Sequence, residues 1–350
     1  MRILQVHKPI GTTLILALIS NVIFLFVLEA FSRTDRVREL LPEPIVGTSR
    51  LELDLSINRL DQYIEKTGSV DCVFVGSSMV RSGINPGIFS PAFKNRTGID
   101  INAFVMGIGD LTPPETEKAI VPLLRNRYQV PLIVLENAPG LLFRWSGFNS
   151  KMEFLIQSPF IRLQRGEFNM TGWFIDHFLC FRYFLRFRIW LMENDPIRRA
   201  LTIQRQLKAN GYDPRQGKTP FDPKKIKIKK QLKINFSRPF WEGHLDALDR
   251  TLTAQECIVL LELPTHPASS IYKSDDRISD YLSVINRIAS IRRSHKTPCI
   301  TSRDILSFPD SSWLNLTHLN PEGAHQFSLW VAHQLAELYL SGRIRLCGLQ

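Results

Sequence analysis

The stretch VDCVFVGSS, residues 70–78, decides the fold of this chain. Its apolar, partly β-branched run is typical of a strand that is buried on both faces of a parallel sheet. Gly76 permits a tight turn at the carboxyl end of the strand, and Ser77 and Ser78 follow at the start of the next element. In an open α/β sheet, ligands bind and chemistry takes place at this edge. The two serines are therefore either candidate nucleophiles or plain helix N-caps.

Four further apolar runs predict the rest of a parallel α/β sheet. They are residues 99–106, followed by GIGD; residues 131–137, which end in EN; residues 257–264; and the short run 299–301. Amphipathic segments at 278–291 and 327–340 predict helices. Earlier in the chain, apolar residues alternate over 51–57 and then recur at helical spacing up to 64. This pattern predicts a short extended piece that leads into a helix.

The N-terminus carries the clearest physical signal. Residues 9–28 contain no charged side chain, and about 20 such residues form a helix that can cross the hydrocarbon core of a bilayer. A cleavable signal peptide has a shorter apolar region and ends in a small-x-small site, which residues 29–33 (EAFSR) match poorly. We therefore expect an uncleaved anchor. Basic residues flank it on both sides, so charge alone does not decide its orientation.

The composition is that of a folded, basic protein. The 350 residues are 44% hydrophobic and 22% charged, which excludes a disordered chain, and the net charge is +11. This charge predicts an anionic partner, either a membrane surface or an acidic polymer. We expect no nucleic-acid partner, because no reader motif accompanies the basic residues. The five cysteines lack C-x-x-C spacing, so we expect neither a metal site nor a disulfide framework, and Cys72 and Cys257 are predicted to be core residues.

A second motif stands near the C-terminus, where NLTHLNPEGAH (residues 315–325) precedes a long apolar-periodic segment. Gly-Ser-Ser after the first strand and His-Leu-Asn-x-x-Gly before the last helix together resemble the SGNH (GDSL-like) hydrolase superfamily. The closer resemblance is to its membrane-anchored branch, which handles acyl groups on cell-envelope polymers. It covers roughly residues 68–145 and 255–340. It implies a three-layer, flavodoxin-like α/β fold, with a single-pass, N-in anchor in the cytoplasmic membrane and the body on the extracytoplasmic side.

The resemblance also implies the site residues. Ser78 stands in the third place of Gly-x-Ser, where the family has its nucleophile, and His318 corresponds to the general base. In the family, a glycine after the second strand and an asparagine after the third form the oxyanion hole. Gly109 is the better match for that glycine, with Gly107 as the alternative, and Asn137 is the candidate asparagine, although it lacks the usual glycine before it.

Three more polar residues are candidates for substrate binding. Arg81 lies one helical turn after the serines and either holds an anionic group of the substrate or pins the loop by an internal salt bridge. Ser77 stands beside the candidate nucleophile. His266 follows the predicted fourth strand at the same sheet edge and is either a site residue or a bystander.

Asn315 is the main departure from the family pattern. The family has an aspartate three residues before the histidine, where it accepts a hydrogen bond from the imidazole. A neutral amide can orient the ring, but it stabilises the imidazolium far less. Three outcomes follow: a Ser–His dyad, rescue by another acid such as Asp310, or a site that does no catalysis.

Residues 141–250 interrupt the α/β pattern with an aromatic-rich insertion. Its segment 173–192 is predicted to be helical, and arginines interleave with the aromatic residues. Three interpretations of this segment are open. It is the core of a helical subdomain, a membrane-surface helix or the wall of an acyl or polymer groove. The lysine–isoleucine stretch 224–230 is either an edge strand or a basic loop.

The predicted organisation has four parts. Residues 1–31 form a cytoplasmic stub and transmembrane anchor, and residues 32–67 form a linker. Residues 68–340 form the SGNH-like domain, with the insertion at about 141–250, and residues 341–350 form a tail.

The resemblance implies acyl-ester chemistry on a cell-envelope glycan. We expect O-acyl transfer or ester hydrolysis through a covalent acyl-enzyme at Ser78, without a cofactor or a metal. The expected partners are membrane lipid, an anionic glycan or polymer, and a multi-spanning acyltransferase. The alternative belongs to another class: a catalytically degenerate binding or assembly protein of an envelope polysaccharide system.

Overall fold

A five-stranded parallel sheet forms the centre of the molecule. The computed structural model describes residues 7–137, 149–191, 207–214, 238–253, 257–267, 278–302 and 307–346. The strands are β1 (Cys72–Gly76), β2 (Ala103–Gly107), β3 (Leu132–Glu136), β4 (Ile258–Leu261) and β5 (Cys299–Ile300). Their order across the sheet, β2-β1-β3-β4-β5, is the flavodoxin-like order of doubly wound folds. The predicted α/β class with a parallel sheet is confirmed.

Helices flank the strands along the chain. Those that the structure describes are α1 (His7–Ser32), α2 (Asp35–Leu40), α3 (Leu51–Thr67), α4 (Ser78–Gly83), α5 (Pro86–Thr97), α6 (Pro113–Glu115), α7 (Asn149–Gln157), α8 (Pro159–Gln164), α9 (Met170–His177), α10 (Leu179–Leu191), α11 (Arg238–Thr253), α12 (Ile278–Ser294) and α13 (Pro321–Leu340). Two π-helical segments, Thr116–Ile120 and Leu123–Arg127, follow α6.

The sheet is covered by helices on both faces, which explains why the sequence of β1 is apolar throughout. Successive side chains of a strand point to opposite faces. Cys72 and Phe74 therefore join an apolar cluster with α5 and α13, whereas Val73 and Val75 join a second cluster with α3 and α8. All five residues of β1 are buried. The carboxyl end of this inner strand, which lies between β2 and β3, places the Gly-Ser-Ser turn at the carboxyl edge of the sheet.

The segment before the sheet corrects one prediction. Residues 51–57 form the first turns of α3 and not an extended piece. Residues 53–58 are all buried, so the helix packs on several sides and the apolar alternation does not report a strand. Asp54 accepts hydrogen bonds from the N–H groups of Thr48, at 2.9 Å, and Gly47, at 3.2 Å. This carboxylate therefore ties the preceding chain to α3.

The insertion contains helices and one segment that lies beside the sheet. The helix predicted over residues 173–192 is interrupted at Phe178, between α9 and α10. In the segment 207–214, the carbonyl of Asn210 accepts a hydrogen bond from the N–H of Val105 in β2, at 2.9 Å. The basic stretch 224–230 lies outside the described residues. Cys257 is disulfide-bonded, so the prediction that it is a plain core residue is wrong.

Helix α1 is long and apolar. Within the described part of the chain, Gly11–Ser32 is the one segment that is long and apolar enough to cross a membrane, and almost none of it is buried in the protein. By length and composition, such a helix is either a membrane anchor or a signal sequence.

Candidate active site

The Gly-Ser-Ser turn and the His318 loop meet at the carboxyl edge of the sheet. Ser78 is the first residue of α4, and its hydroxyl lies 2.9 Å from Nε2 of His318. The two residues are 240 positions apart in the sequence. This distance is within the hydrogen-bond reach that a nucleophile and its general base require.

The side chain of Asn315 sets the orientation of His318. Its Oδ1 atom accepts hydrogen bonds from the backbone N–H groups of Thr317 and His318, both at 2.9 Å. These two donors fix which end of the amide carries the oxygen. The same Oδ1 lies 3.0 Å from Nδ1 of His318. An acceptor at this position requires a proton on Nδ1, so Nε2 presents a lone pair to the Ser78 hydroxyl.

Close packing holds the histidine loop against α13. Asn320 caps α13 by accepting a hydrogen bond from the N–H of Gly323, at 3.0 Å. A Cβ atom at Gly323 would collide with the carbonyl oxygen of Ser312. Trp313 and Leu319 form an isolated antiparallel bridge that closes the loop. The asparagine and glycine of the His-Leu-Asn-x-x-Gly motif therefore serve the position of the loop.

Glu136, at the end of β3, supports the nucleophile turn. One of its carboxylate oxygens accepts the N–H of Ser77, and the other lies 3.1 Å from the Ser77 hydroxyl. The Ser77 hydroxyl in turn accepts a hydrogen bond from the N–H of Met79 and caps α4. A Cβ atom at Gly76 would collide with Glu136 and Val80, which explains the glycine before the serines. Ser77 thus has the N-cap role, while Ser78 faces the histidine.

The environment of Glu136 favours its neutral form. Burial raises the pKa of this carboxyl group from 4.5 to about 7, although the hydrogen bonds from Ser77 act in the opposite direction. The carboxyl group thus changes its charge close to neutral pH.

The N–H of Gly109 is engaged by a carboxylate. Oε2 of Glu52, in the first turn of α3, accepts a hydrogen bond from this N–H at 2.7 Å. The carbonyl of Gly109 accepts one from Arg50, at 2.6 Å. The candidate oxyanion donor is therefore occupied by a negatively charged group, in the way that an oxyanion would occupy it.

Arg81 is buried among protein groups. Its side chain is 2% exposed, and it lies 3.3 Å from Glu52 and 3.6 Å from Asp213. It also donates to the carbonyl of Gly107, at 3.4 Å. Of the two interpretations of Arg81, this geometry favours the internal salt bridge over substrate binding, because the guanidinium joins α3, α4, β2 and the insertion.

Asn137 and His266 lie at the same sheet edge, with partners of their own. The N–H of Asn137 donates to the carbonyl of Leu261, at 2.7 Å, and its side chain hydrogen-bonds Cys299. His266 is 5% exposed, and its Nε2 lies 3.0 Å from Oδ1 of Asp310. Asp310 therefore contacts His266, whereas Nδ1 of His318 contacts the amide oxygen of Asn315 and the hydroxyl of Thr317.

A cleft opens beside the Gly-Ser-Ser turn. Gly76, Glu136 and Asn137 line it together with mainly apolar side chains from β1, α11 and α12 and from the segment around α6. The cleft is partly open to solvent. Within the described ranges, no group of three or more histidine, cysteine, aspartate or glutamate side chains is placed to hold a metal ion.

Sequence reasoning missed two carboxylates of this site. Glu136 gave a weak signal, because it is a charged residue at the end of an otherwise apolar strand. Glu52 gave none, since it lies 57 positions before the glycine that it contacts.

A comparison with known protein families found no matching family model. A comparison with curated proteins likewise found no match.

Proposed function

We propose that this protein is a membrane-anchored, SGNH-like serine acyltransferase or esterase that acts on O-acyl esters of a cell-envelope glycan. The observation that carries the proposal is the 2.9 Å contact between the Ser78 hydroxyl and His318 Nε2. Asn315 supports it, since its fixed amide oxygen selects the histidine tautomer that can accept the serine proton.

The proposed reaction proceeds through an acyl-enzyme. The proton of Ser78 passes to His318 Nε2 while Oγ forms a bond to the carbonyl carbon of the acyl ester. The ester C–O bond then breaks, and the leaving alkoxide takes the proton from His318. In the second half, a water molecule or a glycan hydroxyl gives its proton to His318 and attacks the acyl carbon. The bond between the acyl carbon and Ser78 Oγ then breaks, and Oγ takes the proton back from His318. Water yields hydrolysis, and a glycan hydroxyl yields transfer.

Three properties support a location at an extracytoplasmic membrane surface. Helix α1 has the length and composition of a membrane anchor. The disulfide at Cys257 is typical of proteins in oxidising compartments. The net charge of +11 suits an anionic lipid surface or polymer.

The second candidate function is non-catalytic binding or assembly in an envelope polysaccharide system. Two observations favour it: an amide in place of the aspartate behind His318, and a carboxylate on the N–H of Gly109. In an enzyme, this N–H has to become available to the oxyanion of the substrate.

The two functions are separated by Ser78→Ala in cells that lack the wild-type gene. We expect the acyl content of the isolated envelope glycan to fall to the level of the deletion strain, with an unchanged amount of protein. Ser82→Ala, which lies one turn later on the same helix, is the matched control. Full rescue of a deletion phenotype by Ser78→Ala would contradict the catalytic proposal and favour the binding role.

A further inference from the structure

The end of α1 contacts the turn between α9 and α10. The carboxylate of Glu29 accepts hydrogen bonds from the N–H of Cys180, at 3.0 Å, and from Arg33, at 2.7 Å. Arg33 also donates to the carbonyl of His177, at 3.4 Å. These contacts satisfy a charged group within the apolar helix. They also fix the direction of α1 relative to the start of α10.

Aromatic contacts extend this junction along α1. The ring of Phe26 packs edge-on against Phe178, with centroids 6.1 Å apart, and Phe178 contacts Trp173 at 5.9 Å. Phe26 lies six residues before Ser32, which is roughly 9 Å along the helix at 1.5 Å per residue. If α1 spans the bilayer up to Ser32, the turn between α9 and α10 therefore lies below the level of the lipid headgroups.

Helix α10 has an inverted distribution of polar and apolar side chains. Arg182 and Arg186, one turn apart, are 5% and 2% exposed. Arg182 bonds to Asp61 of α3 at 2.6 Å. Phe184 and Phe187 are 66% and 54% exposed. A surface helix in water normally buries its aromatic residues and exposes its charges, so the outer face of α10 suits an apolar environment better than water.

The exposed aromatic face continues the contact with α1. Cys180, which bonds to Glu29, Phe184 and Phe187 are spaced by four and three residues and therefore lie on one side of α10. Arg182 and Arg186 each follow a residue of this side by two positions, and a step of two residues turns about 200° around a helix. The arginines therefore lie on the other side of α10. Trp173 of α9 is 40% exposed, and it contacts Phe178, which in turn contacts Phe26 of α1. We call Trp173, Phe184 and Phe187 the aromatic face.

We propose that the aromatic face is a second membrane contact, which lies in the interfacial region of the bilayer beside α1. The occupant is lipid, because the face is continuous with an apolar helix that almost lacks protein cover. Interfacial helices bury their apolar face about 5–10 Å into the headgroup boundary, which agrees with the depth of Phe26. The exposed Arg188, next to Phe187, suits lipid phosphate groups. With two contacts, the domain is held in one orientation above the membrane.

The inference rests on the membrane anchor of the proposed function and is independent of the chemistry at Ser78. Its test uses the full chain in nanodiscs that contain anionic lipid. Spin labels are placed in two separate variants, Phe184→Cys and Phe187→Cys. If one variant misfolds, the other still tests the proposal. Leu18→Cys, in the middle of α1, is the reference for lipid. Lys94→Cys is the aqueous control, because it is exposed on α5, which covers the opposite face of the sheet.

The measured quantity is the ratio of label accessibility to oxygen and to a water-soluble nickel chelate. We expect the ratio at 184 and 187 to exceed that at 94 severalfold and to approach that at 18. Unmodified protein, taken through the same labelling, corrects for the native thiols. An aqueous ratio at 184 and 187 with a lipid ratio at 18 would overturn the inference and leave the anchor intact. Loss of access to both reagents would indicate a protein partner and would also overturn it. An aqueous ratio at 18 would overturn both the anchor and the inference.

Discussion

Asn315 Oδ1 lies 3.0 Å from His318 Nδ1, in the place where a serine triad has a carboxylate. Two backbone N–H groups hold this oxygen in position, so the amide performs the orienting part of the role of an aspartate. It lacks the negative charge that stabilises an imidazolium. The contacts among Ser78, His318 and Asn315 thus have the geometry of a triad, whereas their electrostatics are weaker.

The first prediction follows from this difference. Asn315→Asp keeps the hydrogen bonds at Oδ1 and adds a charge next to His318, so we expect it to raise kcat for a chromogenic acetyl ester. In a serine protease triad the reverse change lowers kcat by about 10⁴. Asn315→Leu removes the acceptor and should lower activity below the wild-type rate. Equal rates for all three proteins, with equal melting temperatures, would show that Asn315 does not act through His318.

The second prediction concerns the carboxylate on Gly109. Glu52→Ala leaves the N–H of Gly109 available to a substrate oxyanion, and one oxyanion donor is worth about 10²–10³ in kcat. We therefore expect the esterase rate to increase. Glu65→Ala is the matched control, because Glu65 lies on the same helix and pairs with Arg38 at the surface. An unchanged rate in a stably folded Glu52→Ala protein would exclude Gly109 as the donor.

The third prediction concerns pH and Glu136. Burial raises the pKa of this carboxyl group from 4.5 to about 7, so the folded state binds the proton more tightly than the unfolded state. The stabilisation is complete below pH 4.5 and is lost as the pH rises to about 7. The loss is at most about 3 kcal/mol, at 1.36 kcal/mol per pKa unit, and partial exposure of the side chain reduces it.

Glu136→Gln tests this pH dependence, because glutamine does not titrate. Urea unfolding between pH 4.5 and 8 should show that the wild type loses more stability than Glu136→Gln as the pH rises. Asp54, which burial also shifts to a pKa of about 6, is present in both proteins, so the difference isolates Glu136. Parallel stability curves would contradict the assignment.

The fourth prediction concerns the glycine after the histidine motif. Gly323→Ala places a methyl group against the carbonyl of Ser312, so the His318 loop has to shift. We expect a destabilisation of about 1–3 kcal/mol, the range for added bulk in a tightly packed site, and a lower esterase rate. The control is Gly243→Ala in α11, where a Cβ atom meets open space and alanine favours the helix. A Gly323→Ala protein with wild-type stability and activity would show that the loop tolerates the shift.

Much of the fold could be predicted from local patterns. The apolar runs at β1, β2, β3 and β4 report strands that are buried on both faces, so they are apolar throughout except for Glu136 at the end of β3. The alternation of apolar and polar residues over 51–57 predicted an extended piece, but these residues form the first turns of α3, which is buried on several sides. The boundary between α9 and α10 was missed as well, since Phe178 differs little from the aromatic residues around it.

The sequence by itself determined the class of the fold, the apolar helix at the N-terminus and the candidate pair Ser78 and His318. Periodicity suffices for the first two features, since each depends on residues that are close together in the chain. The pair, whose members are 240 positions apart, was indicated by the resemblance of two short motifs to those of the SGNH superfamily. The tertiary structure alone decided which groups surround the pair. Glu52, Glu136 and Asp213 reach their partners over 57, 59 and 132 positions of sequence, and no local pattern encodes such distances. Their carboxylates are held in place by burial and hydrogen bonding, which exist only once the sheet and its helices have packed.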